Sequence, residues 1–250
     1  MSISNRQEQI MNILNERIFV TVNELAKLTF TSTSSIRRDL TYLQNNGFVK
    51  RSHGGVSLPE PISKVASFLD RTQKNIIEKR LIAKIASSFL KDGQTIMLDS
   101  SSTATFLLPY IAKLKDVRVF TNNLSTALNA IELGIAIHCL GGNAVNGSVV
   151  LCGAETYLAL SDIKVDILFF SSHSLDSDGN ITDPTETENY VRKLMLKSAN
   201  KSVFLCDNKK FNASSTYKLC NLNDIDFAVF DSEYCQLKTD CKVLFNRQLT

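Results

Sequence analysis

Arg37-Arg38-Asp39-Leu40, taken with the Lys50-Arg51-Ser52-His53-Gly54-Gly55 that follows shortly after, decides how this chain is read. Around the first stretch Ile36, Leu40 and Leu43 recur at i, i+4 and i+7, the spacing of one face of a helix. That face predicts a small core and leaves Ser34, Ser35, Arg37 and Arg38 on the remaining surface. Upstream, Ile10, Ile13 and Leu14 make an apolar stripe on a helix from about Ser4 to Glu16, and Ile18 to Thr21 reads as a short extended segment. Thr21-Val22-Asn23-Glu24 has the spacing of a capping box and opens a helix to about Leu28. After a turn through Thr29 to Thr31, Ser32 caps the helix that carries the arginines, and Gly47 stops it. Phe48 to Leu58 then reads as a two-stranded wing turning near His53-Gly54-Gly55. A helix pair followed by a basic hairpin is a winged helix-turn-helix. It would set Arg37 and Arg38, with Ser34 and Ser35 beside them, against base edges or phosphates of double-stranded DNA, and Lys50, Arg51 and His53 against phosphate or the minor groove.

The charge distribution agrees with that reading. Residues 1 to 58 carry 7 Lys+Arg against 4 Asp+Glu and residues 59 to 250 carry 21 against 21, so the whole net charge of +3 sits in the head. A basic head on a neutral remainder implies phosphate contact through the head alone. At 250 residues the chain is long enough for a second domain with its own core. Pro59-Glu60-Pro61 discourages helix and central strand alike, which gives a head over 1–58, a linker over 59–73 and a second domain over 74–250.

The second domain opens with a helical period from Lys74 to Leu90. It continues with a strand near Gln94 to Leu98, a helix over Thr103 to Leu114, a strand over Val117 to Thr121, a helix over Leu124 to Leu133 and a strand over Ile135 to Leu140. Further strands are expected at Ile167 to Ser171, Ser202 to Cys206 and Phe227 to Phe230, with a helix from about Glu186 to Ala199. This alternation predicts a doubly wound α/β domain with a parallel sheet. Asp99-Ser100-Ser101-Ser102-Thr103 lies between a strand and a helix, where backbone amides and the Ser102 and Thr103 hydroxyls can hold an anion.

These residues resemble the DeoR-type bacterial transcription regulators over nearly the whole chain. In the head the resemblance rests on Ser32 to Leu40, Leu43, Gly47 and Arg51 to Gly55. In the second domain it rests on Phe68, Arg71, Glu78-Lys79, Asp99 to Thr103, Thr121-Asn122-Asn123, Gly141-Gly142, Gly153, Asp178-Gly179 and Asp207 to Phe211. It implies a repressor of sugar-utilisation genes whose second domain is similar to sugar-phosphate isomerases and binds a phosphorylated sugar. It places Asp99, Ser100, Ser101, Ser102, Thr103, Asn122, Gly141, Gly142 and Lys210 at that effector pocket. Asp183 and Asp207 either hold sugar hydroxyls or cap the turns after their strands. The chain departs from the family pattern at Ser101, where glycine is usual and a side chain would crowd the ligand. It departs again at Ser171-Ser172-His173-Ser174, which replaces a glycine-rich stretch and makes His173 a candidate ligand-specific contact.

Other readings are narrower. The six cysteines lack the close pairs of a zinc or redox site and read as reduced core thiols, and His138 reads as core. No cofactor or metal is indicated. No apolar run approaches the ~20 residues of a membrane span, and the first residues lack a secretion signal, which points to the cytoplasm without a membrane partner. A small head ordinarily needs a second head, so a homo-oligomer on repeated half-sites is expected. Two alternatives stand beside this reading. One is a sugar-phosphate isomerase with a DNA-binding head, using Asp99, Asp183, Glu186 or Asp207 as base. The other is a regulator controlled by a protein partner without a small-molecule effector.

Overall fold

A computed structural model describes residues 4–17, 19–46, 48–52, 55–57, 64–144 and 148–245. The chain divides into two compact units, Met1–Ser63 and Lys64–Thr250. The first contains α1 (Asn5–Glu16), β1 (Val20–Thr21), α2 (Val22–Leu28), α3 (Thr33–Asn45), β2 (Lys50–Ser52) and β3 (Gly55–Ser57). Its helix starts follow from hydroxyl chemistry. Ser4 with Gln7, and Thr21 with Glu24, complete capping boxes, and the Ser32 side chain accepts the Ser35 amide. Ile36, Leu40 and Leu43 are fully buried with Ile10, Leu25, Val20 and Val56, while the strands pair antiparallel in the order β1-β3-β2. Asp39 shares the buried face of α3. It accepts from Arg6 Nε at 2.5 Å, Arg6 Nη2 at 3.2 Å and Gln7 Nε2 at 3.4 Å, which ties α1 to α3. The expected strand start at Ile18, the Gly47 stop, the His53-Gly54 turn and the Pro59-Glu60-Pro61 linker lie outside the described residues.

The second unit runs α4 (Lys64–Gln73), α5 (Ile76–Ala86), β4 (Thr95–Leu98), α6 (Ser102–Thr105), α7 (Leu108–Ile111), β5 (Arg118–Thr121), α8 (Leu124–Glu132), β6 (Ile137–Cys139), β7 (Asn143–Ala144), β8 (Leu151–Cys152), α9 (Ala154–Ser161), β9 (Ile167–Phe170), β10 (Ser174–Leu175), β11 (Asn180–Asp183), α10 (Glu186–Ser198), β12 (Ser202–Cys206), β13 (Tyr217–Asn221), β14 (Phe227–Phe230) and β15 (Lys242–Leu244). Seven strands form one sheet in the order β15-β14-β12-β9-β4-β5-β6, and every pairing in it is parallel. Its central strands bury both faces. Met97, Leu168, Phe170 and Phe204 join Val191 and Met195 of α10 on one side, while Ile96, Leu98, Phe169 and Val203 join Ile82 and Ala86 of α5 on the other. Such double burial is why these strands read as continuous apolar runs.

Several elements differ from the sequence expectation. Residues 64–73, expected in the linker, form α4, because Phe68 is drawn into the core at 1 % exposure and carries its helix with it. The single helix expected over Thr103 to Leu114 is broken into α6 and α7 at Phe106-Leu107, ahead of Pro109, which has no amide proton and is favoured at a helix start. His138 is exposed, since β6 is the sheet's edge strand, and its ring lies against Phe120 at 5.1 Å. Cys152 and Cys206 are buried, whereas Cys235 is exposed and is not a core thiol. A small antiparallel sheet, β10-β11-β13, and the helix α9 had no counterpart in the sequence reading.

Gly142, just after β6, holds φ +129°, and a Cβ there would meet Thr156 Oγ1 and come within 2.7 Å of the Cys152 carbonyl oxygen. Gly142→Ala should therefore destabilise the second unit by about 1–3 kcal/mol. Urea unfolding of the full chain would read this as a lower midpoint at unchanged slope.

Candidate functional site

In the first unit, α3 presents Ser34, Arg37 and Arg38 to solvent, and Lys50 is exposed on β2. Ser35 is half-buried and occupied by the cap, its amide bonded to Ser32 Oγ at 3.3 Å and its hydroxyl accepting from Ser32 Oγ at 3.0 Å. Arg51 is half-buried too. Its Nη1 donates to Thr41 Oγ1 at 3.3 Å, so the wing strand braces the arginine-bearing helix. His53 lies outside the described residues.

In the second unit a cavity of about 420 Å³ opens beyond the carboxyl ends of β4, β9 and β12, where Ser100 to Thr103, Ser171 to His173, and Asp207 with Lys209 and Lys210 form one side. Ligands of open parallel sheets bind at this position, at the point where the strand order reverses. Here the chain leaves β4 for β5 and β6 on one side and later returns to β9 on the other. Arg71, Lys74, Asn75 and Lys79 of the α4–α5 corner, and Asp183 to Thr185, Glu188 and Arg192 around the start of α10, complete the lining. The wall carries six cationic side chains, Arg71, Lys74, Lys79, Arg192, Lys209 and Lys210, against three carboxylates, Asp183, Glu188 and Asp207.

Arg192 organises the floor. Its Nε donates to Asp99 at 2.8 Å, Nη1 to Asp183 at 3.0 Å and Nη2 to Ser100 Oγ at 3.3 Å, with Glu188 3.6 Å away. Burial works against its charge, but Asp183, Asp99 and Glu188 outweigh it and raise the guanidinium pKa, so Arg192 stays charged. Asp99 also accepts the Ser101 amide and hydroxyl and the Ser171 amide. Asp183 Oδ1 accepts Ser172 Oγ at 3.2 Å and the His173 amide at 3.1 Å. Both carboxylates are thus engaged by the protein. Ser101 directs its hydroxyl onto Asp99 and the Ala104 amide as the cap of α6, turned into its own loop.

Lys210 donates to Ser171 Oγ at 2.8 Å and stands 3.6 Å from Asp207 Oδ2, while Asp207 Oδ1 accepts Asn75 Nδ2 at 3.0 Å. Lys79 is 4 % exposed, and its ammonium donates to the carbonyls of Arg71 and Lys74. Burial, and then the nearby Lys210, bring its pKa down to about 8 against the pull of Asp207. On this wall Thr103 Oγ1 and Asp207 Oδ2 are buried without a hydrogen-bond partner.

Of the residues the sequence nominated for the effector, Ser100, Ser101, Ser102, Thr103, His173, Asp183, Asp207 and Lys210 line the cavity. Asp99 lies behind the wall, fully buried. Asn122 donates to the Leu151 carbonyl, and Gly141 accepts from Thr156 beside Gly142; none of these three is part of the wall. Arg192, Lys79, Lys74, Asn75 and Glu188 were not nominated. The available signal was the i, i+4 spacing of Glu188 and Arg192, which on a helix usually marks a solvated face. Among the described residues, no cluster of His, Cys, Asp or Glu could hold a metal ion and no helix is long and apolar enough to cross a membrane.

A winged helix with an exposed arginine pair, carried in one chain with a cation-lined cavity on a parallel sheet, defines a ligand-sensing DNA-binding regulator. The chain belongs to the DeoR family: the model of the DeoR-like helix-turn-helix domain matches residues 6–61 and that of the DeoR C-terminal sensor domain matches residues 74–232. It is 33% identical to the HTH-type transcriptional regulator GolR of Listeria innocua, over 91% of this chain and 90% of that protein. It is 30% identical to the HTH-type transcriptional repressor GlcR of Bacillus subtilis, over 89% of this chain and 86% of that one. Among solved structures, ribose 5-phosphate isomerase A of Methanocaldococcus jannaschii is similar with a TM-score of 0.42 and 20% identity, over 55% of each chain.

An anion held beside Lys79 should bind with a pH dependence set by that lysine. Between about pH 8 and pH 9, where inorganic phosphate is already mostly the dianion, its affinity should decline several-fold as Lys79 loses its proton. Calorimetric titration across this range would check it, and affinity that holds to pH 9 would remove Lys79 from the anion's surroundings.

Proposed function

We propose that the chain represses carbohydrate-utilisation genes by binding operator DNA through Arg37 and Arg38, and that a phosphorylated sugar in the cavity relieves the repression. The observation that carries the effector class is the cation excess of the cavity wall, six against three, around the Ser102-Thr103 loop and Lys210. A phosphate there gains charge-assisted hydrogen bonds that a neutral sugar does not make. Induction is then linkage. An effector that prefers the conformation or assembly holding DNA poorly, by ~1–3 kcal/mol, lowers operator affinity about 5- to 150-fold.

A homo-oligomer on repeated half-sites belongs to this reading. Its support is α8, which turns Thr126, Ala127 and Ala130 inward and leaves Leu124, Leu128 and Ile131 exposed, the reverse of a solvated helix. The isomerase alternative finds little support in the cavity. Asp99 and Asp183 are held by Arg192 and neighbouring amides, Glu186 is not among the lining residues, and Asp207, the fourth candidate base, is 1 % exposed, bonded to Asn75 and paired with Lys210.

Replacing Arg37 and Arg38 together by Ala should weaken binding to promoter DNA of the adjoining gene cluster by tenfold or more, since one good bidentate base contact is worth ~1–3 kcal/mol. A gel-shift titration within about twofold of wild type would refute the assignment. For the sensor, glucose 6-phosphate, fructose 1-phosphate and fructose 6-phosphate should be compared with the free sugars in a thermal-shift screen of the full chain. At least one phosphate ester should raise the melting temperature while its free sugar does not, and Lys210→Ala should remove that rise. Equal shifts by sugar and ester, or no shift by any phosphate, would favour control by a protein partner, and turnover of a bound ester would favour the enzyme.

A further inference from the structure

Phe30 is the most exposed large apolar side chain among the described residues, at 97 %, and it stands in the turn between α2 and α3 with φ +51°. Both features cost stability. A ring left in water forgoes the gain of burial, and a side chain at positive φ crowds its own backbone, which is why glycine is the usual residue in that conformation. The turn closes α2 with the pair of bonds that ends many helices: the Thr31 amide donates to the Ala26 carbonyl at 2.9 Å and the Phe30 amide to the Lys27 carbonyl at 3.3 Å. Two hydroxyls tighten it. Thr29 Oγ1 donates to the Leu25 carbonyl at 2.7 Å, and Thr31 Oγ1 to the Thr29 carbonyl at 2.9 Å. Backbone held from this many points lets a residue other than glycine persist at positive φ, and it fixes the direction in which the Phe30 side chain leaves the chain.

We propose that Phe30 is a DNA contact, an apolar group held at the rim of the major groove against a thymine methyl or a deoxyribose. This rests on the reading above, in which α3 meets operator DNA through Arg37 and Arg38. The surroundings of the ring select that partner. Residues 25–38 carry Lys27, Arg37 and Arg38, all exposed, and no carboxylate, while the next acid, Asp39, is buried and bonded to Arg6. Thr29, Thr31, Ser32, Thr33, Ser34 and Ser35 make most of the rest hydroxyl-bearing. A protein partner would call for an apolar patch around the ring, yet Leu28 is the one other exposed large hydrophobic in this stretch. Cations and hydroxyls around a single ring suit a phosphate backbone with one apolar spot beside it. Position agrees. A recognition helix enters the major groove with its N-terminal residues at the base edges, and Phe30 stands two residues before Ser32, the cap of α3. Phenylalanine is among the side chains that read a thymine methyl there.

The test uses the full chain and duplex promoter DNA of the adjoining gene cluster. Phe30→Gly is the informative variant, because glycine relaxes the backbone while deleting the ring. It should melt no earlier than wild type and yet bind the promoter roughly five- to tenfold more weakly by gel shift. Phe30→Leu, which keeps an apolar side chain, should stay within about threefold of wild type. Since the ring carries no charge, the salt dependence of affinity should keep its wild-type slope in Phe30→Gly and flatten when Arg37 and Arg38 are replaced by Ala. Promoter DNA with uracil in place of thymine assigns the contact. A loss seen in wild type and absent from Phe30→Gly sets the ring on a methyl, and no such difference sets it on deoxyribose. Wild-type affinity in Phe30→Gly, earlier melting of that variant, or a changed subunit count by light scattering would overturn the proposal and leave operator recognition by Arg37 and Arg38 standing. If wild type leaves the promoter unbound, both readings fall together.

Discussion

One buried guanidinium holds the sensing unit's cavity in shape. Arg192 comes from α10, Asp99 from the end of β4, Asp183 from the end of β11 and Ser100 from the loop that precedes α6. Without the cation, two carboxylates would face one another in a low-dielectric interior, and losing one partner of such a group costs about 3–5 kcal/mol. The cluster adds less to net stability than that figure suggests, because burying its charges was itself costly. Its contribution is geometric. Asp99 bonds the Ser101 and Ser171 amides while Arg192 bonds its carboxylate, so the loops after β4 and β9 are fixed relative to α10 before any ligand arrives.

That prior fixing separates structural polar groups from those open to a ligand. Asp99, Asp183 and Ser101 carry the residue types of a sugar site, yet their bonds close within the protein. Thr103 Oγ1 and Asp207 Oδ2 are left without a hydrogen-bond partner, and Lys210 spends one donor on Ser171. A wall of several lysines around a few open groups suits holding an anionic ester by charge and orienting it by single hydrogen bonds, which is binding work. Proton abstraction would need a carboxylate both open and placed over a reacting carbon.

The head was legible because each of its signals is local. The i, i+4, i+7 period of Ile36, Leu40 and Leu43 and the hydroxyl caps at Thr21 and Ser32 need only neighbours in sequence. The central strands were legible because burial on both faces writes unbroken apolar runs. What escaped depends on distant partners: α4 exists because Phe68 fills a gap in a core built by residues much later in the chain, and β10, β11 and β13 are too short and mixed to carry a period. The cavity divides in the same way. Ser100 to Thr103 and Asp207 to Lys210 follow strands of a parallel sheet and so fall at its carboxyl edge by topology alone. Arg192 lies mid-helix in a charged sequence, where nothing local distinguishes a buried guanidinium from a solvated one.

Lys79 shows how the two halves of the cavity are joined. Its ammonium satisfies the carbonyls of Arg71 and Lys74 at the end of α4, and its charge belongs to the same wall as Lys210. Burial and Lys210 have already brought its pKa to about 8, so it holds its proton weakly for a lysine. A bound phosphate would strengthen that hold, since a nearby negative charge favours the ammonium. It would also compete with the two carbonyls for the same three N–H donors. An anion held here would thus draw Lys79 from the end of α4, and Asn75, bonded to Asp207 Oδ1, is the corner's other tie to the cavity lining.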